Sequence, residues 1–192
     1  MLKKILISLF VFSFGSILSI NAADDPSRLR IYSPISASAT IESCETCTVT
    51  AEGSSLHYVF GFGLGLGISN SKLNIAGSNP DYSVQANSMI DVSYTFGSDF
   101  TFTLGYGAGG GTEVDGISGL VVTSSSSSNS LIGLGYNFGG IELLLGMRSV
   151  TATYQYDLSY TYLVGGSLVS GTVSNEITSS WNTTDIGIGF TF

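Results

Sequence analysis

What is scarce in this chain bounds it more tightly than what is abundant. Of 192 residues only six are basic, three are proline, two are cysteine, and histidine and tryptophan occur once each. Two of the basic residues, Lys3 and Lys4, stand at the very start. The remaining four (Arg28, Arg30, Lys72, Arg148) face fourteen acidic residues, a net of −10 that argues against a nucleic-acid partner. Past the first two dozen residues no stretch is long and apolar enough for a helix to cross a bilayer, which takes about 20 residues. Yet 43% of the chain is hydrophobic and only 10% is charged. A β-barrel resolves that conflict, because it turns apolar side chains outward and hides polar ones inside.

The two cysteines lie in Ser43-Cys44-Glu45-Thr46-Cys47-Thr48. In an oxidising compartment the expectation is a local Cys44–Cys47 disulfide closing a tight turn, with a redox or metal site as the alternative. A thioredoxin-like motif needs a strand-to-helix setting and a lowered thiol pKa, and neither is visible. Thr48 stands where covalent haem attachment needs a histidine.

Residues 1–22 have the parts of a secretory signal: Lys3 and Lys4, an apolar run from Ile5 to Ile20 interrupted by serines and Gly15, and the small-residue exit Asn21-Ala22-Ala23. Residues 23–55, with Pro26, Pro34 and both cysteines, read as a periplasmic N-terminal extension. Residues 56–192 read as the barrel itself. There the side chains alternate with the two-residue period of strands. Tyr58, Phe60, Phe62, Leu64, Leu66 and Ile68 oppose Gly61, Gly63, Gly65 and Gly67 in one strand spanning Leu56 to Ser69. Val84, Ala86, Ile90, Val92, Tyr94 and Phe96 share a second outward face. Further strands run over Phe100 to Gly109, Asn129 to Phe138 and from Ile141.

Gly97-Ser98-Asp99 and Gly139-Gly140 are short turns. Residues 70–81 and 110–128 read as long polar loops, the second ending in the serine run Ser124 to Ser128. From Ser149 the apolar phase reverses (Val150, Ala152, Tyr154, Tyr156), which suggests a bulge. Two readings of residues 149–183 then stay open. Either a turn at Gly165-Gly166 joins two further strands, giving eight in all, or two very long strands project as a hairpin, giving six. The aromatics expected at the short-turn end include Tyr58, Phe96, Phe138 and Phe192, with Tyr82, Tyr106, Tyr154 and Tyr156 as an opposite girdle.

The signal, the alternating strands, the asymmetry of short turns and long loops, and the terminal Gly189-Phe190-Thr191-Phe192 together resemble the OmpA/OmpX-type small outer-membrane β-barrels. That resemblance implies an all-β fold, an up-and-down antiparallel transmembrane β-barrel located in the outer membrane. It also implies an assembly signal in Phe192, Phe190 and Ile188, read by the barrel-assembly machinery. The implied surroundings are outer-membrane lipid and lipopolysaccharide, and no cofactor or metal is implied. Enzymatic relatives rely on a histidine paired with Ser, Asp or Glu. This chain has only His57, at the short-turn end and without an assignable carboxylate, so no catalytic residue is expected. Arg148, inward in a strand, requires acidic partners to offset its desolvation, and Glu142, Asp91 and Asp185 are the candidates for a polar network that closes the lumen. The expected function is non-enzymatic: a membrane-structural or adhesion-type barrel presenting polar acidic loops at the cell surface. The alternative is a narrow pore or carrier through the glycine-lined lumen.

Overall fold

The computed structural model describes residues 26–40, 46–77, 80–118, 120–164 and 167–192. The expected signal over residues 1–22 and Cys44 lie outside them. Nine strands form: β1 (Arg28–Ala39), β2 (Thr48–Val59), β3 (Leu64–Ala76), β4 (Tyr82–Phe96), β5 (Phe100–Ala108), β6 (Thr112–Asp115), β7 (Leu120–Asn137), β8 (Ile141–Val164) and β9 (Ser167–Thr191). The sheet runs β3-β2-β1-β9-β8-β7-β5-β4, and β3 also pairs with β4, so eight staves close into a ring. Every pairing is antiparallel. β6 continues β5 along β4 after a break at Gly109 and Gly110, whose φ values of 91° and 77° suit glycine. A closed ring leaves the wall without a bare edge.

The eight staves arise differently from either sequence reading. The described part of the expected extension 23–55 belongs to the barrel: β1 pairs with β9 from Arg28↔Thr191 to Ala39↔Trp181 and with β2 from Arg28↔Val59 to Tyr32↔Ser55, so β1 is the stave that closes the ring. The barrel therefore begins near Arg28 rather than at residue 56. β1 was hidden because its inward face carries Arg28, Arg30 and Tyr32, all buried, and because a register shift between Pro34 and Ser36 interrupts its period. The apparent strand from Leu56 to Ser69 is the end of β2, a tight turn and the start of β3. Phe60 N–H donates to the Leu64 carbonyl and Gly63 adopts φ 90°. Tyr58 pairs with Leu66, both outward and both even-numbered, so the alternation runs through the turn without a break.

Residues 149–183 add no strands. β8 and β9 are single strands of 24 and 25 residues, paired from Ile141↔Phe190 to Val164↔Ser167. Much of the expected loop 110–128 is β6 and the first half of β7, including the serine run. The bulge expected at Ser149 is absent, since the β8 register runs unbroken through it. An unforeseen irregularity lies at Asn87 and Ser88 (φ 53°), opposite Asn70. It reverses the parity of β4, so Val84 and Ala86 face inward and are fully buried, while Ile90 (65% exposed) faces outward.

The absence of a bulge in β8 exposes the organising feature of the wall. Along Ile141, Leu143, Leu145 and Met147 the outer face is apolar and about half exposed, and the inner face carries buried Glu142 and Arg148. One step further the outer face becomes Ser149, Thr151 and Thr153, and the inner face becomes Val150, Ala152 and Tyr154. β9 inverts alike, from outward Phe190, Ile188 and Ile186 to outward Asn182, Ser180 and Thr178, with Trp181 buried inside. The apolar outer belt is roughly 20 Å tall for a tilted strand, close to the lipid-facing belt of membrane barrels.

Candidate functional site

The interior of the belted half is stacked in polar layers. Near the short turns the Arg28 guanidinium donates to the carbonyls of Gly97 (3.1 Å) and Ser98 (3.3 Å). One step up, Arg30 and Glu142 form a bidentate pair, Nε to Oε2 at 2.8 Å and Nη2 to Oε1 at 2.7 Å. The remaining Arg30 donors go to the hydroxyls of Thr95, Thr103 and Thr101 at 2.9, 2.7 and 3.1 Å. All five N–H groups of a guanidinium that is 1% exposed are thereby used, and Thr101 also donates to Glu142 at 2.6 Å. Burying such ions costs several kcal/mol each unless geometry and added hydrogen bonds offset it. This pair meets both conditions.

Above it lies a thin layer of Tyr32, Leu131 and Leu144, with His57 edge-on to Tyr32 at 5.8 Å. The second ionic layer follows. Arg148 donates to Asp185 (3.3 Å), Asp91 (3.2 Å), Asn129 (3.1 Å) and Ser55 (2.7 Å). The other Asp91 oxygen accepts from Ser69 at 3.0 Å and Asn129 at 2.8 Å, and His57 Nε2 lies 3.3 Å from Asp91 Oδ2. Glu142 is not in this layer, contrary to one of the pairings expected for Arg148. It belongs to Arg30, which the sequence reading left outside the barrel. Arg28, Arg30 and Lys72 also lie on strands, β1 and β3.

Glycines make room for these groups. Asp91 pairs with Gly107 and Gly67, and Glu142 with Gly189. A methyl group at Gly189 would stand 2.8 Å from Glu142 Oε2 and 3.2 Å from Arg30 Cγ, and at Gly107 it would collide with Asp91 and Asn129. The glycine-lined lumen is thus occupied by the partners' side chains. A glycine across from an inward charge was a readable signal for Arg30 and for Glu142 alike.

Beyond Arg148 the interior dries out. Leu73, Ile75, Val84, Ala86, Met89, Val150, Ala152, Tyr154 and Trp181 form one buried cluster, and the Trp181 indole N–H donates to the Ser71 hydroxyl at 2.9 Å. The expected second girdle is corrected here. Tyr154 is 3% exposed inside, where burial raises its phenol pKa above the ordinary value. Tyr82 and Tyr156 pack against the same cluster, and only Tyr106 is exposed on the outer wall. At the short-turn end the rings do meet as a belt: Tyr58 with Phe60 (4.9 Å) and Phe192 (6.2 Å), Tyr94 with Phe96 (4.7 Å), Tyr136 with Phe138 (4.6 Å).

The remaining sequence candidates are placed as follows. Ile188 and Phe190 point outward from β9, and the Phe192 N–H donates to the Ser27 carbonyl at 3.0 Å. Cys47 is disulfide-bonded. Glu52, Glu113, Asp115 and Glu176, expected on loops or the extension, stand exposed on strands of the upper wall, with Asp157 half-buried beside them. Among the described residues no group of three His, Cys, Asp or Glu side chains is placed to hold a metal ion.

A closed ring of eight antiparallel strands, with an apolar outer belt, an aromatic rim and a polar interior behind that belt, defines an all-β up-and-down barrel of the transmembrane type. No family model matches the chain, and no curated protein matches it. Among solved structures it is similar to the solid-state NMR structure of outer membrane protein AlkL in DMPC lipid bilayers, with a TM-score of 0.48 and 12% identity over 88% of this chain and 91% of that one.

Proposed function

We propose that this chain is a non-enzymatic integral outer-membrane barrel, of the OmpA/OmpX kind, that holds a polar, acidic, strand-built surface outside the cell in a membrane-structural or adhesion-type role. The observation that carries the reading is the inversion of the wall. Below Met147 and Arg148 the wall suits hydrocarbon outside, and above them it suits water outside. The upper wall carries Glu52, Glu113, Asp115 and Glu176, and there the barrel rises clear of the membrane.

The β8–β9 hairpin extends this surface. β9 leaves β1 at Ala39↔Trp181, so from Ser167 to Ser180 its only strand partner among the described residues is β8. That edge, on the order of 40 Å long and without a second strand partner among the described residues, carries Leu168 (74% exposed), Val173 and Ile177 with Glu176 as its single charge. Such an edge can pair with an extended chain of another protein. In support of a closed rather than conducting interior, both ionic layers span the lumen and side chains fill the glycine faces.

Two measurements test the reading. Heat-modifiable gel mobility of membrane-extracted protein reports a compact barrel. Attachment of cells bearing the full-length protein is then compared with cells bearing a chain lacking residues 159–173. Boiling-dependent mobility for both, with attachment lost only in the shortened chain, is the expected result. Soluble periplasmic protein whose mobility does not change on boiling would contradict it, as would equal attachment.

A further inference from the structure

The irregularity between β3 and β4 opens a notch in the outer wall at the level where the belt ends. It is about 150 Å³ in volume and is lined by Ser54, Leu56, Ile68, Ser69, Asn70, Asn87 and Ser88. Its floor is apolar: Leu56 and Ile68 are a cross-strand pair, 42% and 59% exposed, and they continue down the wall into Ile90 and Leu66. Its roof is polar. Asn70 Oδ1 accepts the Ser54 N–H at 2.9 Å, and Asn87 Oδ1 accepts from the Gln85 amide. Each asparagine oxygen thus accepts one hydrogen bond from the wall, and among the described residues neither side-chain amide nitrogen donates to another group. The Ser54 and Ser88 hydroxyls can each donate or accept. With the two amide nitrogens they give the roof enough donors to meet a ligand rich in acceptors.

Charge points the same way. Of the basic residues described, Arg28, Arg30 and Arg148 are buried inside the barrel. Lys72 alone stands on the outer wall, two residues beyond Asn70 on the same face of β3. It forms no ion pair or hydrogen bond among the described residues. Glu52, directly across from it, accepts from Asn74 at 3.0 Å instead. In a chain with ten more acidic than basic residues after the expected signal, the one outward cation sits within a side chain's reach of the donor-lined notch.

We propose that this notch holds the head group of a phosphate-bearing membrane lipid. The phosphate lies between Lys72 and the amides of Asn70 and Asn87, and the acyl chains run down Leu56, Ile68 and Ile90. The proposal rests on the reading of the belt as lipid-facing, since only then is the notch at head-group height. Ser88 adopts φ 53°, uncommon for a non-glycine residue, where the β3–β4 ladder breaks opposite Asn70.

Native mass spectrometry of the purified full-length protein in detergent micelles tests it, with phosphatidylglycerol, a phosphate-free galactosyl diacylglycerol and inorganic phosphate added in separate arms. A one-to-one phosphatidylglycerol adduct is expected. Lys72→Gln and the double variant Asn70→Ala/Asn87→Ala should each reduce it about tenfold, the worth of one charge-assisted hydrogen bond. Thr151→Ala, on the outer face of β8, should leave it unchanged. An equal adduct in the Lys72 variant, or with the galactolipid, overturns the proposal. Binding of inorganic phosphate as strong as that of the lipid overturns the lipid source. Each protein is first checked for heat-modifiable mobility: a parent that shows it and carries no adduct sinks the lipid site alone, whereas a soluble parent without it sinks the membrane reading as well.

Discussion

The two halves of this barrel are built from the same staves with opposite chemistry. In the lower half water-loving groups are inside, held by the Arg30–Glu142 pair and the Arg148–Asp91–Asp185 cluster, and Leu143, Leu145, Ile186 and Ile188 are outside. In the upper half Val84, Val150, Ala152 and Trp181 are inside, and the outside is mainly serine, threonine and acidic residues, with Val121, Leu168 and Val173 as exposed apolar exceptions. The upper half is built like a water-soluble barrel and the lower like one dissolved in oil. The strands run continuously from one half to the other. On the membrane reading proposed above, the change of sign between Arg148 and Val150 marks where the outer wall passes from lipid to water.

The comparison can be broken or sharpened residue by residue. The largest effect is expected from Glu142→Ala, which leaves the Arg30 guanidinium buried without its carboxylate. About 3–5 kcal/mol of stability should go, measured by urea unfolding from lipid vesicles, whereas replacing both partners with apolar residues of like volume should cost far less. A loss below about 1 kcal/mol for the single variant would mean that water reaches this layer.

Leu145→Arg, on the lower outer face, should lose about 2–4 kcal/mol in the same assay, as charges at mid-bilayer do. Trp181→Phe, in the upper interior, removes the indole N–H from Ser71 and part of the ring volume, for about 1–2 kcal/mol. Thr153→Arg sits on the same outer face of β8 as Leu145 but above the inversion, and should change stability by no more than about 0.5 kcal/mol. The contrast between the two arginine variants is sharper than either value alone, because strand, face and substituent are held the same.

How legible each half was in the sequence follows from the same chemistry. Where hydrocarbon lies outside and glycine, threonine or charge inside, as at Phe100 to Tyr106 or Ile132 to Phe138, hydrophobicity alternates strongly and the strands can be read directly. In the upper wall the contrast fades. Ser124 to Ser128 lie on β7 with Ser127 buried and Ser124 and Ser126 exposed, and five identical residues can carry no alternation. The reversed phase of Val150, Ala152 and Tyr154 was real, but it marks a switch of the apolar face from the outer to the inner wall rather than a change in register. The hairpin at Phe60 to Gly63 preserves parity and is therefore invisible to a two-residue pattern. Half of the ionic site was readable: Arg148 with its aspartates stood in strands of clear phase. Arg30 did not, because β1 carries Pro34 and turns its charges inward.

One scan along β8 puts the inversion itself to the test. Single cysteines are placed at Leu143, Leu145, Met147, Ser149, Thr151 and Thr153 in a chain lacking Cys44 and Cys47, spin-labelled in bilayers, and compared for collision with oxygen and with a water-soluble nickel reagent. Oxygen should dominate at the first three positions and the nickel reagent at the last three, with the crossover between Met147 and Ser149. Aqueous access at Leu143 and Leu145, or hydrocarbon-like access at Thr151 and Thr153, would contradict a wall that passes from oil to water at Arg148.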